Sequence, residues 1–115
     1  MLNVRIFSLK EVASSIKRTL NARYGSSFWV KAEMIKLNYY PYSGHAFPAL
    51  IEKGDNGLVA QMRAVIWSSD LKRIRDKFRA CGIEDLSDGI TILFNASIMY
   101  DEFYGVSLRI IDIDT

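Results

Sequence analysis

The chain alternates between two hydrophobic periods. Leu9, Val12, Ala13, Ile16, Leu20 and Tyr24 recur at the spacing that lines one face of an α-helix. Ser8-Leu9-Lys10-Glu11 reads as a capping box, in which the Ser8 side chain and the Glu11 backbone, and the Glu11 side chain and the Ser8 backbone, satisfy each other. Gly25 stands where a left-handed residue would close the helix. This predicts an amphipathic helix over residues 8–24, with Phe7 stapled onto Val12 and Lys10, Lys17, Arg18 and Arg23 mostly off the apolar stripe. From Trp29 the period drops to two, the signature of strands with one buried face. Strands are predicted over residues 29–35, 46–52, 58–67, 90–100 and 104–112. The first two are separated by a polar, aromatic turn from Asn38 to His45, and the second and third by Gly54-Asp55-Asn56-Gly57. In the third strand Leu58, Ala60, Met62, Ala64 and Ile66 are the expected core face. Val59, Gln61, Arg63, Val65 and Trp67 form a mixed face open to a ligand. Leu71, Ile74 and Phe78 mark a second helix over residues 70–80, capped by Ser68, Ser69 or Asp70 and ended by Cys81-Gly82.

Helix, three strands, helix, two strands is a mainly β arrangement with two helices. About five antiparallel strands with a helix between the third and fourth is the layout of a five-stranded OB-fold, a Greek-key barrel whose ligand face lies on strands two and three. The alternative is an open antiparallel sheet with both helices on one face. The expected organisation is one domain over residues 1–115, with the barrel over residues 28–112.

Composition adds limits. Half of the 115 residues are hydrophobic, and a chain of this size buries about 65% of its unfolded surface without staples. Cys81 is the only cysteine, so neither an intramolecular disulfide nor a cysteine metal cluster is expected. No apolar run approaches the ~20 residues of a membrane span, and the first residues lack the apolar core of a signal peptide. A cytoplasmic protein is the resulting expectation. The net charge of +2 permits a nucleic-acid site without demanding one, so such a site must be local and use stacking.

The candidate chemistry is of that kind. Tyr39, Tyr40, Tyr42 and His45 fall in the first turn, with Phe47 one residue into the second strand. Gln61, Arg63 and Trp67 share the mixed face of the third strand, with Lys31 and Lys36 from the first strand nearby. Rings stack on bases and an arginine fork pairs with phosphate, which suits a single-stranded nucleic acid. The blander readings are rings packed over the barrel end, a turn-stabilising His45 and a solvated sheet face. Lys72, Arg73, Arg75, Lys77 and Arg79 make the second helix basic, by default as a solvated face. His45, the lone histidine, has no defined catalytic partners, and Glu33, Glu52, Asp55 and Asp70 fall on separate elements with no metal-binding spacing. No catalytic residue, metal site or cofactor is expected in this chain.

The helix from Ser8-Leu9-Lys10-Glu11 to Tyr24-Gly25, then Trp29-Val30-Lys31-Ala32-Glu33-Met34, Ser43-Gly44-His45 and Gln61-Met62-Arg63-Ala64-Val65-Ile66-Trp67, resemble the N-terminal domain of exodeoxyribonuclease VII large subunits. The family pattern there is a short helix, WVxGEI, SSGHxYFTLKD and a strand ending in an aromatic. The resemblance runs from about Phe7 to Asp114 and rests on order and spacing, since no single motif is diagnostic. Ala32 departs from a frequent glycine, and Pro48 stands where an aromatic is frequent, which removes a stacking role from that position and predicts an edge or bulge. The resemblance implies an OB-fold that holds single-stranded DNA for a nuclease domain encoded beyond Thr115, in a parent enzyme that also binds small subunits. Other readings of the residues are a protein-interaction module for subunit assembly and an RNA-binding barrel.

Overall fold

The computed structural model describes residues 4–115. In chain order the elements are α1 (Leu9–Arg23), β1 (Phe28–Lys36), β2 (Tyr39–Tyr40), β3 (His45–Ala46), β4 (Ala49–Gly54), β5 (Gly57–Val65), α2 (Ser68–Ala80), β6 (Ile90–Asp101) and β7 (Gly105–Ile113). Five strands close a barrel in the order β1-β4-β5-β7-β6, with β2 and β3 forming a small separate hairpin. Closure excludes the open sheet and makes the fold an OB-fold.

The closing contact corrects one expectation. β5 and β7 pair in parallel, Ala64 with Leu108 and Val65 with Arg109, while the other barrel pairs are antiparallel. A helical crossover, α2, separates β5 from β6, so β6 runs opposite to β5 and its hairpin partner β7 runs alongside it. Phe94, Met34, Ile66 and Ile110 are fully buried inside, and α2 packs Leu71, Ile74 and Phe78 into the same core.

Pro48 explains why the predicted second strand splits in two. Its side chain is fully buried opposite Ala64. The Ala64 N–H donates to the Pro48 carbonyl at 3.0 Å, but proline has no N–H to return the bond. Regular pairing lapses there, yet Ala46 still bridges Ile66 and Ala49 still pairs with Arg63, so the register passes through the break.

The supposed core face of the third strand is core only at Ala64 and Ile66. Leu58, Ala60 and Met62 are exposed, because β1 meets β4 no further along than Ile51 and β7 meets β5 only at Ala64 and Val65. The end of the β4–β5 hairpin is therefore a two-stranded ribbon beyond the barrel.

The capping box of α1 is formed, with Glu11 N–H to the Ser8 hydroxyl at 3.1 Å and Ser8 N–H to the Glu11 carboxylate at 3.3 Å. The other end is not closed by Gly25. Tyr24 is the C-cap at φ −119°, and Gly25 is not among the residues of positive φ. Only Ala13 of the apolar stripe is buried, and Leu9 is 84% exposed. Among the barrel strands α1 packs chiefly along β6, which covers a narrow strip of a helix. Phe7 is half exposed beneath the Arg5 guanidinium, 4.9 Å from its ring.

Ser68, Ser69 and Asp70 lie inside α2 rather than capping it. Trp67 is the N-cap, and its side chain makes no cap bond. Cys81 is exposed at the C-terminal cap.

Candidate nucleic-acid interface

Strand alternation decides which candidate side chains share a face. Leu50, Pro48, Ala46, Ala64 and Ile66 point inward. Their neighbours His45, Phe47, Ala49, Arg63 and Trp67 therefore point outward on the same side, as does Gln61 two residues from Arg63, while Val65 and Ile51 share this side but are buried. Two lateral rows cross the sheet, Lys36–Ala49–Arg63 and Glu33–Ile51–Gln61. Lys31, two residues from Glu33, lies on the same outer side of β1. Glu33 is engaged by Lys53 at 3.6 Å, while Lys31, Lys36 and Arg63 are exposed cations on this face.

The β2–β3 hairpin extends the face with rings. Tyr40 pairs with His45, so it stands on the outer side, its ring 5.4 Å from Phe47 and tilted 63°. His45 lies 5.0 Å from Trp67 and 6.5 Å from Phe47, edge-on to both. Tyr40, Phe47, His45 and Trp67 thus form one aromatic cluster that runs into Arg63 and Gln61.

Tyr39 does not belong to it. It pairs with Ala46 and faces the other way, with the Arg75 guanidinium of α2 4.7 Å above its ring. Adjacent residues of a strand point to opposite faces, so the two tyrosines cannot serve one surface. Tyr42 is fully exposed at the turn.

His45 also has a structural task. Its Nδ1 accepts the Ser68 backbone N–H at 2.9 Å, supplying the cap that Trp67 does not. This bond needs the hairpin close to α2, and Gly44 permits the approach. It sits at φ +77°, and a Cβ there would lie 3.0 Å from the Ser68 Cβ. The Ser43 hydroxyl holds the turn by accepting from His45 N–H at 3.1 Å. His45→Ala is expected to destabilise the domain by about 1 kcal/mol, the usual worth of a helix cap. His45→Asn should recover part of that in urea denaturation. Equal midpoints for all three proteins would show that the bond contributes nothing.

Sequence reasoning placed the β6–β7 turn but did not single out Phe103 and Tyr104 as site residues. Arg63 Nη2 donates to the Tyr104 carbonyl, which fixes the guanidinium against that turn while most of its five N–H donors remain available. Phe103 and Tyr104 are exposed, their rings 6.5 Å apart. The signal was aromatic residues beside Asp101 and Glu102, the same composition that marked the Tyr39–Tyr42 turn. Among the described residues no three of His, Cys, Asp and Glu come together to hold a metal. Glu33 is paired with Lys53, and Asp70 with Arg73 and Arg109.

Residues 7–114 match the family model described as an OB-fold nucleic acid binding domain. No curated protein matches the chain.

Proposed function

The chain belongs to the family of OB-fold nucleic acid binding domains, and from that premise we propose that its outer β1–β4–β5 face holds single-stranded DNA. One observation carries the reading. The Ala46–Ile66 bridge keeps the Ala49–Glu52 register against β5 on the far side of Pro48, which places His45 and Phe47 on the outer side with Gln61, Arg63 and Trp67, while Lys36 sits in the Arg63 row. Bases would stack on Tyr40 and Phe47, and the phosphates between them would meet Arg63, Lys36 and Lys31. Phe103 and Tyr104 would form the opposite rim.

The choice of DNA, and of a parent enzyme, rests on the likeness of Trp29–Met34, Ser43-Gly44-His45 and Gln61–Trp67 to exodeoxyribonuclease VII large subunits. On this reading the domain presents the strand to a nuclease domain of a cytoplasmic enzyme that also carries small subunits. It does not itself cut the strand and needs no cofactor.

Fluorescence anisotropy of the purified chain with labelled oligonucleotides at several salt concentrations tests this. Single-stranded DNA should bind with little sequence preference, and more tightly than duplex. Arg63→Ala should weaken all sequences alike and flatten the slope of log affinity against log salt by about 0.7. Tighter binding of RNA than of DNA of equal sequence would favour an RNA-binding barrel. No binding of any nucleic acid at low salt would sink the reading and favour a protein-interaction module.

A further inference from the structure

We propose that a longer strand continues past the β2–β3 hairpin into a second groove, between that hairpin and α2, which grips its phosphate backbone. This rests on the reading of the outer face as a single-strand site. The groove is lined by Tyr39, Gly44, Ser68, Lys72, Arg75 and Arg79, with Leu71 and Asp76 completing a volume of about 380 Å³.

Charge is the first reason. α2 carries Lys72, Arg73, Arg75, Lys77 and Arg79 against Asp70 and Asp76, a net of +3, while the whole chain carries +2. The rest of the chain is therefore net −1, and the positive charge of the protein is gathered on this helix. Two of the five cations are turned toward the barrel: Arg73 bonds Asp70 and the Ile111 carbonyl, and Lys77 bonds Asp112 at 2.8 Å. The other three recur at helical spacing on the groove side.

Their availability is the second reason. Lys72 has no acidic partner within 4.0 Å among the described residues. Among the described residues Arg79 pairs only with Asp76 at 3.3 Å, both well exposed, a contact that phosphate readily replaces. Arg75 is held by Asp85 at 3.0 Å and over Tyr39, which positions the ring.

Continuity is the third. Tyr40 and Tyr39 are consecutive, and they face the sheet side and the α2 side of one short hairpin. A strand that crosses the hairpin leaves one ring and meets the other, with Tyr42 exposed at the turn. Alternating rings and cations suit a polymer of alternating bases and phosphates, whereas an acidic peptide would use only the cations.

The test compares oligonucleotides of about six and about fifteen nucleotides, spanning the known range for one OB-fold. The proteins are the parent chain and a double variant, Lys72→Gln with Arg79→Gln. Both side chains are exposed, and circular dichroism checks that the variant is folded. For the long strand the variant should lose roughly five- to tenfold in affinity and about 1.4 in salt slope, two phosphate contacts at about 0.7 each. The short strand should bind both proteins alike. Equal binding of the long strand by both proteins, or equal weakening at both lengths, overturns the proposal. A glutamate-rich peptide that binds the parent and not the variant, with the long strand unaffected, assigns the groove to a protein and also overturns it. If the parent binds neither length, the outer-face reading fails first and takes the groove with it.

Discussion

Replacing Tyr40 and Phe47 together by alanine is expected to weaken binding of a short single strand by roughly 30- to 20,000-fold. Stacking on an aromatic side chain is worth ~1–3 kcal/mol per base, and each ~1.4 kcal/mol is a factor of ten. The two rings touch at 5.4 Å and 63°, so each orients the other, and the single changes should not add up to the double one. Neither ring carries charge, so the slope of affinity against salt should stay as in the parent. That separates this variant from Arg63→Ala, which changes the slope. Tyr39→Ala is the control. Its ring lies under Arg75 on the α2 side, so it should leave a short strand unaffected. A double variant that binds within twofold of the parent would show that the hairpin rings do not meet bases.

That control shows where sequence reasoning stopped. The alternation of Ile90, Ile92, Phe94 and Ala96, and the stripe Leu71, Ile74 and Phe78, were legible because burial imposes a period. They sufficed for the order of the two helices and the five barrel strands, and left closure open between a barrel and an open sheet. The outward direction of Gln61, Arg63 and Trp67 was legible for the same reason. Tyr39 and Tyr40 were not separable, because they lie in a segment that reads as a turn. Only the pairing of β2 with β3 sends one toward the sheet face and the other toward α2. Leu58 and Met62 followed the right period but lie where the β4–β5 hairpin outruns its neighbours. Period reports the side of a strand and not how far the barrel extends. The bond from Ser68 N–H to His45 joins residues 23 apart in sequence, and no local pattern announces it.

Asp70 is the other contact of long range, and its loss should be the costliest of the changes considered to the fold. Among the described residues it is the one buried charged side chain, at 3% exposure. One carboxylate oxygen accepts from Arg109 Nε at 3.2 Å and Nη2 at 3.1 Å, and the other from Arg73 Nη1 at 3.3 Å. Arg109 stands on β7 opposite Val65, at the short parallel contact that closes the barrel. The carboxylate also sits in the first turn of α2, where the helix dipole favours negative charge. Removing one partner of a buried pair costs about 3–5 kcal/mol. Arg109 is 39% exposed and recovers some hydration, so Asp70→Ala is expected to cost about 2–3 kcal/mol. For a domain of this size that is a fall of roughly 10 °C in melting temperature. Asp70→Leu combined with Arg109→Met leaves no stranded charge and should melt above Asp70→Ala alone, because an ion pair is often replaceable by apolar groups of similar volume. Below its lowered melting point Asp70→Ala should bind single strands like the parent, since no ring or cation of the outer face has changed. A melting temperature within a degree or two of the parent would show that the pair does not help hold α2 to the barrel.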